Sequence, residues 1–357
     1  MPGFVSVIIG ILLFSILIFV HELGHFLAAK AFGVQVNEFS MFMGPAIFKK
    51  KKGETLYTIR CIPIGGFCAM EGEDQDTDNP RSFQKAAWWK RLIILVAGAV
   101  MNFIIGVVFF IIVYMPVEQV AAPVITNLEP CCVFAGEHGL QVGDEFVSID
   151  GEKIYNTNNI SMMFSLNSTG THDVVVLRDG KKLEFNDLKM THSCVDAEGK
   201  EIVHYGIGMG KAVDATFGTK VKNIWYTTLD NARMVRLSLQ MLISGDVGLS
   251  DMAGPVGIVN MMSDAATEAP GFLDALLNLI YFGGFLAVNL GIMNLLPIPA
   301  LDGGRVVALL LTTGIEAVTK KKIDPKYEGY IHAAGMILLL ALMAFILFKD
   351  IFVIFKG

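Results

Sequence analysis

Charge is scarce in this chain. Only 17% of its 357 residues are Asp, Glu, Lys or Arg against 53% hydrophobic ones, and the mean hydropathy is +0.55. That balance excludes an ordinary soluble domain and indicates an integral membrane protein. Basic stretches with interleaved aromatics are missing, so no nucleic acid is expected as a partner, and the net charge of -6 says little more. Cysteines are few and odd in number: Cys61, Cys68, Cys131, Cys132 and Cys194. They match no zinc-finger spacing, imply no disulfide framework and read as inert thiols. The first apolar run, from Phe4 to Val20, lacks a basic region before it and a small-residue cleavage site after it. It is therefore expected to be a retained helix rather than a signal peptide.

What stands out against this apolar background is His21-Glu22-Leu23-Gly24-His25, placed in the first candidate span. Ionisable groups in hydrocarbon are costly and usually face a protein interior or a watery cavity. Residues four apart on a helix share a face, so His21 and His25 present two imidazoles side by side, as a shared zinc ion requires. Glu22 then stands beside the metal, placed to act as general base on a water molecule. A pair of histidines hydrogen-bonded inside a helix bundle also fits the bare pattern.

Four crossings are expected. The first runs from about Phe4 to Ala29 and the second from Leu92 to Val117, where Asn102 is the one strongly polar residue and Trp88, Trp89, Lys90 and Arg91 form an interfacial anchor. The third, about Leu276 to Leu311, is broken by Pro297, Pro299, Gly303 and Gly304; the fourth runs roughly from Tyr330 to Phe348. Ten Lys and Arg residues lie from Lys30 to Arg91 and five between Asp302 and Ile331, whereas the first 29 residues hold none. This asymmetry places both short loops in the cytoplasm and the termini and the middle segment outside. At about 1.5 Å per residue, His21 then lies roughly 25 Å below the outer surface.

In the first loop, runs from Val36 to Phe48 and from Glu54 to Met70 flank Lys49 to Gly53. They read as a β-hairpin with its basic tip among the headgroups, although a solvated basic loop fits as well. The segment from about Glu118 to Met209 has the composition of a small soluble β-rich domain, with strands at Asp173 to Leu177 and Lys182 to Phe185. Residues Thr219 to Ile243 repeat apolar side chains at helical spacing, which suits an amphipathic helix in the interface or one packed on that domain.

A catalytic zinc needs a third protein ligand and an open position. Asp302 is the candidate, because it ends the uncharged run from Leu276 and follows two prolines that must unwind the backbone into a cavity-lining path. Taken alone, it also fits a helix-capping aspartate.

These two motifs, HELGH in the first span and NLLPIPALDGG in the third, resemble the site-2 proteases, intramembrane zinc metalloproteases, and most closely their RseP-like branch. Further matches are Pro63 to Gly72 after the hairpin, Ala97-Gly-Ala-Val-Met-Asn102, Gly139-Leu-Gln-Val-Gly-Asp144 with Ile149-Asp-Gly151, and Gly254-Pro-Val-Gly-Ile258. The resemblance implies one Zn2+ per chain on His21, His25 and Asp302, with Glu22 catalytic. It also implies that Asn294 and Pro297, together with Gly65, Gly66 and Phe67, engage the unwound substrate. Substrates would be single-pass membrane proteins such as anti-sigma factors or remnant signal peptides, already trimmed by an upstream protease in regulated intramembrane proteolysis, at a bacterial inner or plasma membrane. The resemblance also makes the outer segment a PDZ-like domain, single where the best-known Gram-negative members have two. Cys131 and Cys132 stand where small polar residues are expected in its groove.

The fold class expected is thus a polytopic α-helical membrane protein of four transmembrane helices, with a membrane-associated β-hairpin and one extracytoplasmic PDZ-like domain. Its expected divisions are residues 1–31 (first span), 32–90 (cytoplasmic loop with the hairpin), 91–117 (second span), 118–212 (PDZ-like domain), 213–270 (amphipathic helical segment), 271–312 (third span), 313–329 (cytoplasmic loop) and 330–357 (fourth span and tail). Two other readings compete: a non-catalytic membrane binding protein or chaperone of the same fold, which an intact Glu22 opposes, and a metal transporter. The transporter would want more ionisable groups in the second and fourth spans than Asn102 and His332 provide.

Overall fold

The computed structural model describes residues 3–73, 77–129, 134, 136, 139–157, 160–166, 170–190, 192–195, 201–204, 206–245, 248, 255–320 and 326–356. Cys131, Cys132 and Gly254 lie outside the described residues, as does part of the acidic stretch after Glu71. In chain order the elements are α1 (Gly3–Ala31), β1 (Val36–Lys52), β2 (Thr55–Met70), α2 (Trp88–Tyr114), β3 (Gln119–Leu128), β4 (Glu145–Ile149), β5 (Glu152–Lys153) and α3 (Ile160–Ser165). They continue with β6 (Thr171–Arg178), β7 (Lys181–Lys189), β8 (His192–Val195), β9 (Glu201–His204), β10 (Ile207–Asp214), α4 (Phe217–Ser244), α5 (Pro255–Thr267), α6 (Phe272–Asn294), α7 (Asp302–Thr319) and α8 (Lys326–Lys356). Packing divides the chain into two compact units, Met1–Val113 with Asn231–Gly357, and Tyr114–Asp230.

In the first unit, Ile8–Ala31, Trp88–Tyr114, Phe272–Asn294 and Gly329–Asp350 are long and apolar enough to cross a bilayer. Ile8, Leu12, Ile104 and Leu338 on these helices are exposed, an arrangement disfavoured in water but suited to lipid contact. Without a hydrophobic drive between helices in lipid, close approach depends on small residues. Here α1 and α2 meet at Gly24, where an added Cβ would lie 2.4 Å from the Ala97 carbonyl oxygen. One buried cluster (Ala29, Val34, Phe39, Met70, Ile94, Leu309) joins α1, the hairpin, α2 and α7. Another (Leu13, Leu17, Phe109, Met262, Leu279, Leu286) joins α1, α2, α5 and α6. The third apolar stretch is two helices, α6 and α7, separated by the non-helical residues 295–301, as two prolines two residues apart require.

The hairpin is more folded than a simple ribbon. β1 bends at Phe42 and Gly44, both at positive φ, so that Ser40 pairs with Phe67 on one side and with Thr58 on the other. The strand halves follow in the order 46–52, 55–60, 38–41 and 66–69. The lysine run is not the turn. Lys49 to Lys52 continue the strand, pairing Lys49 with Thr58 and Lys52 with Thr55, and the reversal is made by Gly53 (φ 61) and Glu54. Glu54 is tied back by Arg81 (2.6 and 2.8 Å) and by Lys30 at the end of α1 (2.7 Å). The exposed apolar end lies instead at the bend, where Met43, Ile47, Phe48 and Ile62 gather.

Hydrogen bonds from Arg81 and then Lys30 hold the Glu54 carboxyl down at about 2 from its ordinary 4.5. A depressed carboxylate stabilises the fold above its unfolded pKa, and the contribution is lost as pH falls through the folded value. Glu54→Gln is therefore expected to lower the melting temperature slightly at neutral pH, as suits an exposed pair. The gap from the native protein should close between about pH 4.5 and 2; a gap independent of pH would refute the tie.

The second unit holds a sheet in the order β10-β3-β4-β6-β7, with β5 on β4. Phe146, Ile149, Ile160, Phe164, Val174 and Val176 are buried in it. The turn between β6 and β7 uses Asp179 (φ 49) and Gly180 (φ 77), the left-handed pair that a tight hairpin demands. Buried Asp144 accepts from Arg178 Nε and Nη2, both at 2.7 Å, and from the Gln141 amide at 2.8 Å. On the part of α4 in this unit the expected apolar stripe is divided: Ile224 and Thr228 are buried, whereas Val221 and Trp225 are exposed.

Candidate metal centre

His21 and His25 lie one turn apart on α1, and Asp302 is the first residue of α7. The structure brings them together. Asp302 Oδ2 lies 3.1 Å from His21 Nε2 and 3.2 Å from His25 Nε2, and the two Nε2 atoms are 3.2 Å apart. Among the described residues this is the one cluster of three or more His, Cys, Asp or Glu side chains spaced to share a metal ion.

The donor set fits zinc. Nitrogen and oxygen ligands about 2.0–2.1 Å from a tetrahedral ion sit about 3.3 Å from one another, close to the observed triangle. His25 Nδ1 lies 2.8 Å from the Ile94 carbonyl oxygen on α2. A carbonyl only accepts, so Nδ1 carries the proton and the Nε2 lone pair points into the triangle. The Asp302 Oδ2 atom is itself buried without a conventional hydrogen bond. Lone pairs and a carboxylate facing one another at this spacing need positive charge between them.

His21 is oriented from its other side. Its Nδ1 lies 3.3 Å from the side-chain amides of Asn102 on α2 and Asn294 on α6. A metal at Nε2 puts the proton on Nδ1, so one of the two amides must offer oxygen. Asn102 Oδ1 is buried with no partner in its assigned orientation, and turning that amide over supplies the acceptor. The sequence marks Asn102 as a polar residue in an apolar span and as the end of the Ala97-Gly-Ala-Val-Met-Asn102 match, but assigns it no role at the metal centre. Asn294, expected to hold substrate, is placed against His21.

Glu22 points toward β2, near the Cys68 backbone. Residues 63–68 run along α1: Ser15 Oγ reaches the Pro63 carbonyl at 3.3 Å, and a Cβ on Gly66 would lie 3.4 Å from Glu22 Cγ. Gly65, at φ +83, packs on Met43, and the Phe67 ring carries the Arg60 guanidinium at 5.0 Å. Gly66 is thus beside Glu22, whereas the described contacts of Gly65 and Phe67 are within the hairpin. Pro297 lines a neighbouring cavity of about 380 Å³ with Pro299, Arg305 and His332. The arrangement can hold one divalent cation with a carboxylate beside it and the rim of a sheet alongside.

Comparison with known proteins places this geometry in context. The sequence pattern of Peptidase family M50 matches residues 9–342. A Clostridium acetobutylicum protein provisionally named a zinc metalloprotease is 35% identical over 353 residues, covering 98% of this chain and 98% of that protein. Regulator of sigma-W protease RasP of Bacillus subtilis is 29% identical over 432 residues, covering 97% and 98%. Zinc metalloprotease RasP of Geobacillus kaustophilus is 29% identical over 431 residues, covering 97% of each.

Proposed function

Because this chain belongs to peptidase family M50, the site-2 proteases, and is a zinc metalloprotease of the membrane, we propose that it cuts single-pass proteins within their membrane-spanning segments. The observation that carries the proposal is the convergence of His21, His25 and Asp302 on one point, with Glu22 between that point and the rim strand at 66–69. In this reading His21, His25 and Asp302 hold the zinc and Glu22 is the general base.

Bound there, zinc supplies Lewis acidity toward the scissile carbonyl and makes water easier to deprotonate. The chain's own groups do the rest. Glu22 takes a proton from the attacking water and passes one to the leaving amine. Ile94 keeps His25 in the tautomer that binds, and Asn102 and Asn294 do the same for His21. A peptide bond inside a membrane helix is already hydrogen-bonded and shielded, so the substrate must unwind; pairing with the strand around Gly65, Gly66 and Phe67 replaces the bonds it loses. Asn294 and Pro297 then flank the unwound segment.

By the lysine and arginine asymmetry, the hairpin and the loop at 313–329 are cytoplasmic, and both termini and a PDZ-like domain at 118–212 are outside. That domain restricts entry to substrates already trimmed by an upstream protease. The name of the Bacillus subtilis relative, a regulator of sigma-W, supports anti-sigma factors as one substrate class, beside remnant signal peptides, at a bacterial plasma membrane.

The experiment is cleavage of a tagged single-span reporter in proteoliposomes, with the cut mapped by mass spectrometry. Cuts within the span support the proposal, and cuts confined to the flanking tails would overturn it. Asp302→Ala is expected to lose zinc on the order of a hundredfold faster than the native protein, measured by transfer to a chromogenic chelator.

A further inference from the structure

We propose that His332, on α8, is a positioning residue for the metal-binding carboxylate: it holds the 295–301 connection in the backbone path that delivers Asp302 to the two imidazoles. The inference rests on the reading of Asp302 as a ligand.

The connection is held under local strain. Ala300 sits at φ 85, a left-handed conformation that a residue with a Cβ adopts only when its surroundings impose it. Within the connection the Ile298 amide bonds to the Leu296 carbonyl (2.7 Å) and the Leu301 amide to Ile298 (3.1 Å). The Ala300 amide turns the other way and donates to His332 Nδ1 at 3.2 Å. One helical turn nearer the end of α8, Gly335 has no room for a side chain: a Cβ would lie 2.4 Å from Pro299 Cβ and 2.7 Å from its carbonyl carbon. Gly303 and Gly304 press on the same connection from α7, with added Cβ atoms 2.3 Å from the Leu295 carbonyl oxygen and 2.4 Å from that of Ile298. The chain leading to Asp302 is therefore clasped between the first turn of α7 and the face of α8, and His332 supplies a directional bond across that clasp.

Its second ring nitrogen, Nε2, lies 3.4 Å from Arg305 Nε, and Arg305 in turn pairs with Glu73. A neutral imidazole accepts at only one nitrogen. The shorter bond, 3.2 Å from a backbone amide, takes Nδ1, and the 3.4 Å approach of Arg305 to Nε2 is at the outer limit of a hydrogen bond. Asp302 follows Ala300 by two residues, and its Oδ2 must stay within 3.1–3.2 Å of both imidazoles. An ångström of drift in the clasp is enough to open that triangle, and misplacement on that scale can cost on the order of a hundredfold in rate.

The test uses the full chain in proteoliposomes with His332→Ala, His332→Asn and His332→Gln. Asparagine puts an acceptor oxygen where Nδ1 was; glutamine puts its amide where Nε2 was. His332→Ala is expected to release zinc to a chromogenic chelator on the order of ten times faster and to lower kcat by a similar factor. His332→Asn should recover most of both losses and His332→Gln should not. Native zinc release in His332→Ala would overturn the inference, as would rescue by glutamine alone or equal losses in the alanine and asparagine variants. Glu22→Gln run in parallel separates the two layers. If it is inactive while His332→Ala behaves as native, the site reading stands and the brace fails; if it cleaves as native, the site reading itself fails.

Discussion

Glu22→Gln is expected to lower kcat on the order of a thousandfold, about 4 kcal/mol of barrier, while leaving one zinc per chain. The split follows from what each part of the side chain does. Glutamine is isosteric with glutamate, so the strand that packs beside the Glu22 side chain at Gly66 stays in place. The three ligands are other residues: His21 is turned by Asn102 and Asn294, His25 by Ile94, and Asp302 arrives from α7. Nothing that holds the metal passes through the Glu22 carboxylate, whereas the proton it takes and returns has no other carrier in the proposed mechanism. Zinc per chain by atomic absorption and single-turnover cleavage of a spanning reporter measure the two separately. Native turnover in this variant would remove Glu22 from the chemistry, and loss of zinc would make it a ligand.

The residues of the candidate metal centre stand out in the sequence because lipid turns polarity into an anomaly, and the structure brings His21, His25 and Asp302 together. His21, Glu22, His25 and Asp302 interrupt apolar runs where each needs a reason, and Pro297 and Pro299 announce the break that separates α6 from α7. Regular strand and turn signals in the second unit were equally open to reading, as the β6 and β7 hairpin shows with its Asp179-Gly180 turn.

What escaped the sequence is contact between distant segments. Charge marks Lys49 to Lys52 as a solvated turn, yet these residues form a strand that pairs with 55–58, and the turn carries the one acidic residue that Lys30 and Arg81 can both reach. Exposed lysines on a rim strand are also a common defence against edge-to-edge pairing. Asn102 and Asn294 share one imidazole nitrogen although 192 positions separate them. His332 reads in sequence as a stray polar group in the last span, and only its place opposite Ala300 gives it work. Motif matches include Gly24 and Gly98 but do not say why they are glycine, because what matters there and at Gly335 is which atom lies where a Cβ would be.

Gly98 makes the sharpest case. A methyl group there would lie 2.3 Å from His25 Nε2, 2.8 Å from His25 Cε1 and 2.7 Å from His21 Cε1, far inside contact distance for three atoms of the two ligand rings. The rings have little freedom to yield. His25 Nδ1 is bonded to Ile94 on the same helix, one turn before Gly98, and His21 Nδ1 faces Asn102 one turn after it. Nor can α1 and α2 approach differently, since Gly24 already rests on the Ala97 carbonyl. Gly98→Ala must therefore part the helices or swing an imidazole away, and either movement breaks a triangle whose sides are 3.1–3.2 Å. The expected result is loss of bound zinc and of all measurable cleavage, with an overpacking cost of about 1–3 kcal/mol in stability. Gly106→Ala is the control, because its Cβ would strike Val288 at 2.8 Å farther along the same helix. That variant should share the loss of stability and keep its zinc. If Gly98→Ala instead retains a full complement of zinc and native turnover, the imidazoles do not lie against α2 in the working enzyme, and the metal centre assigned here is wrong.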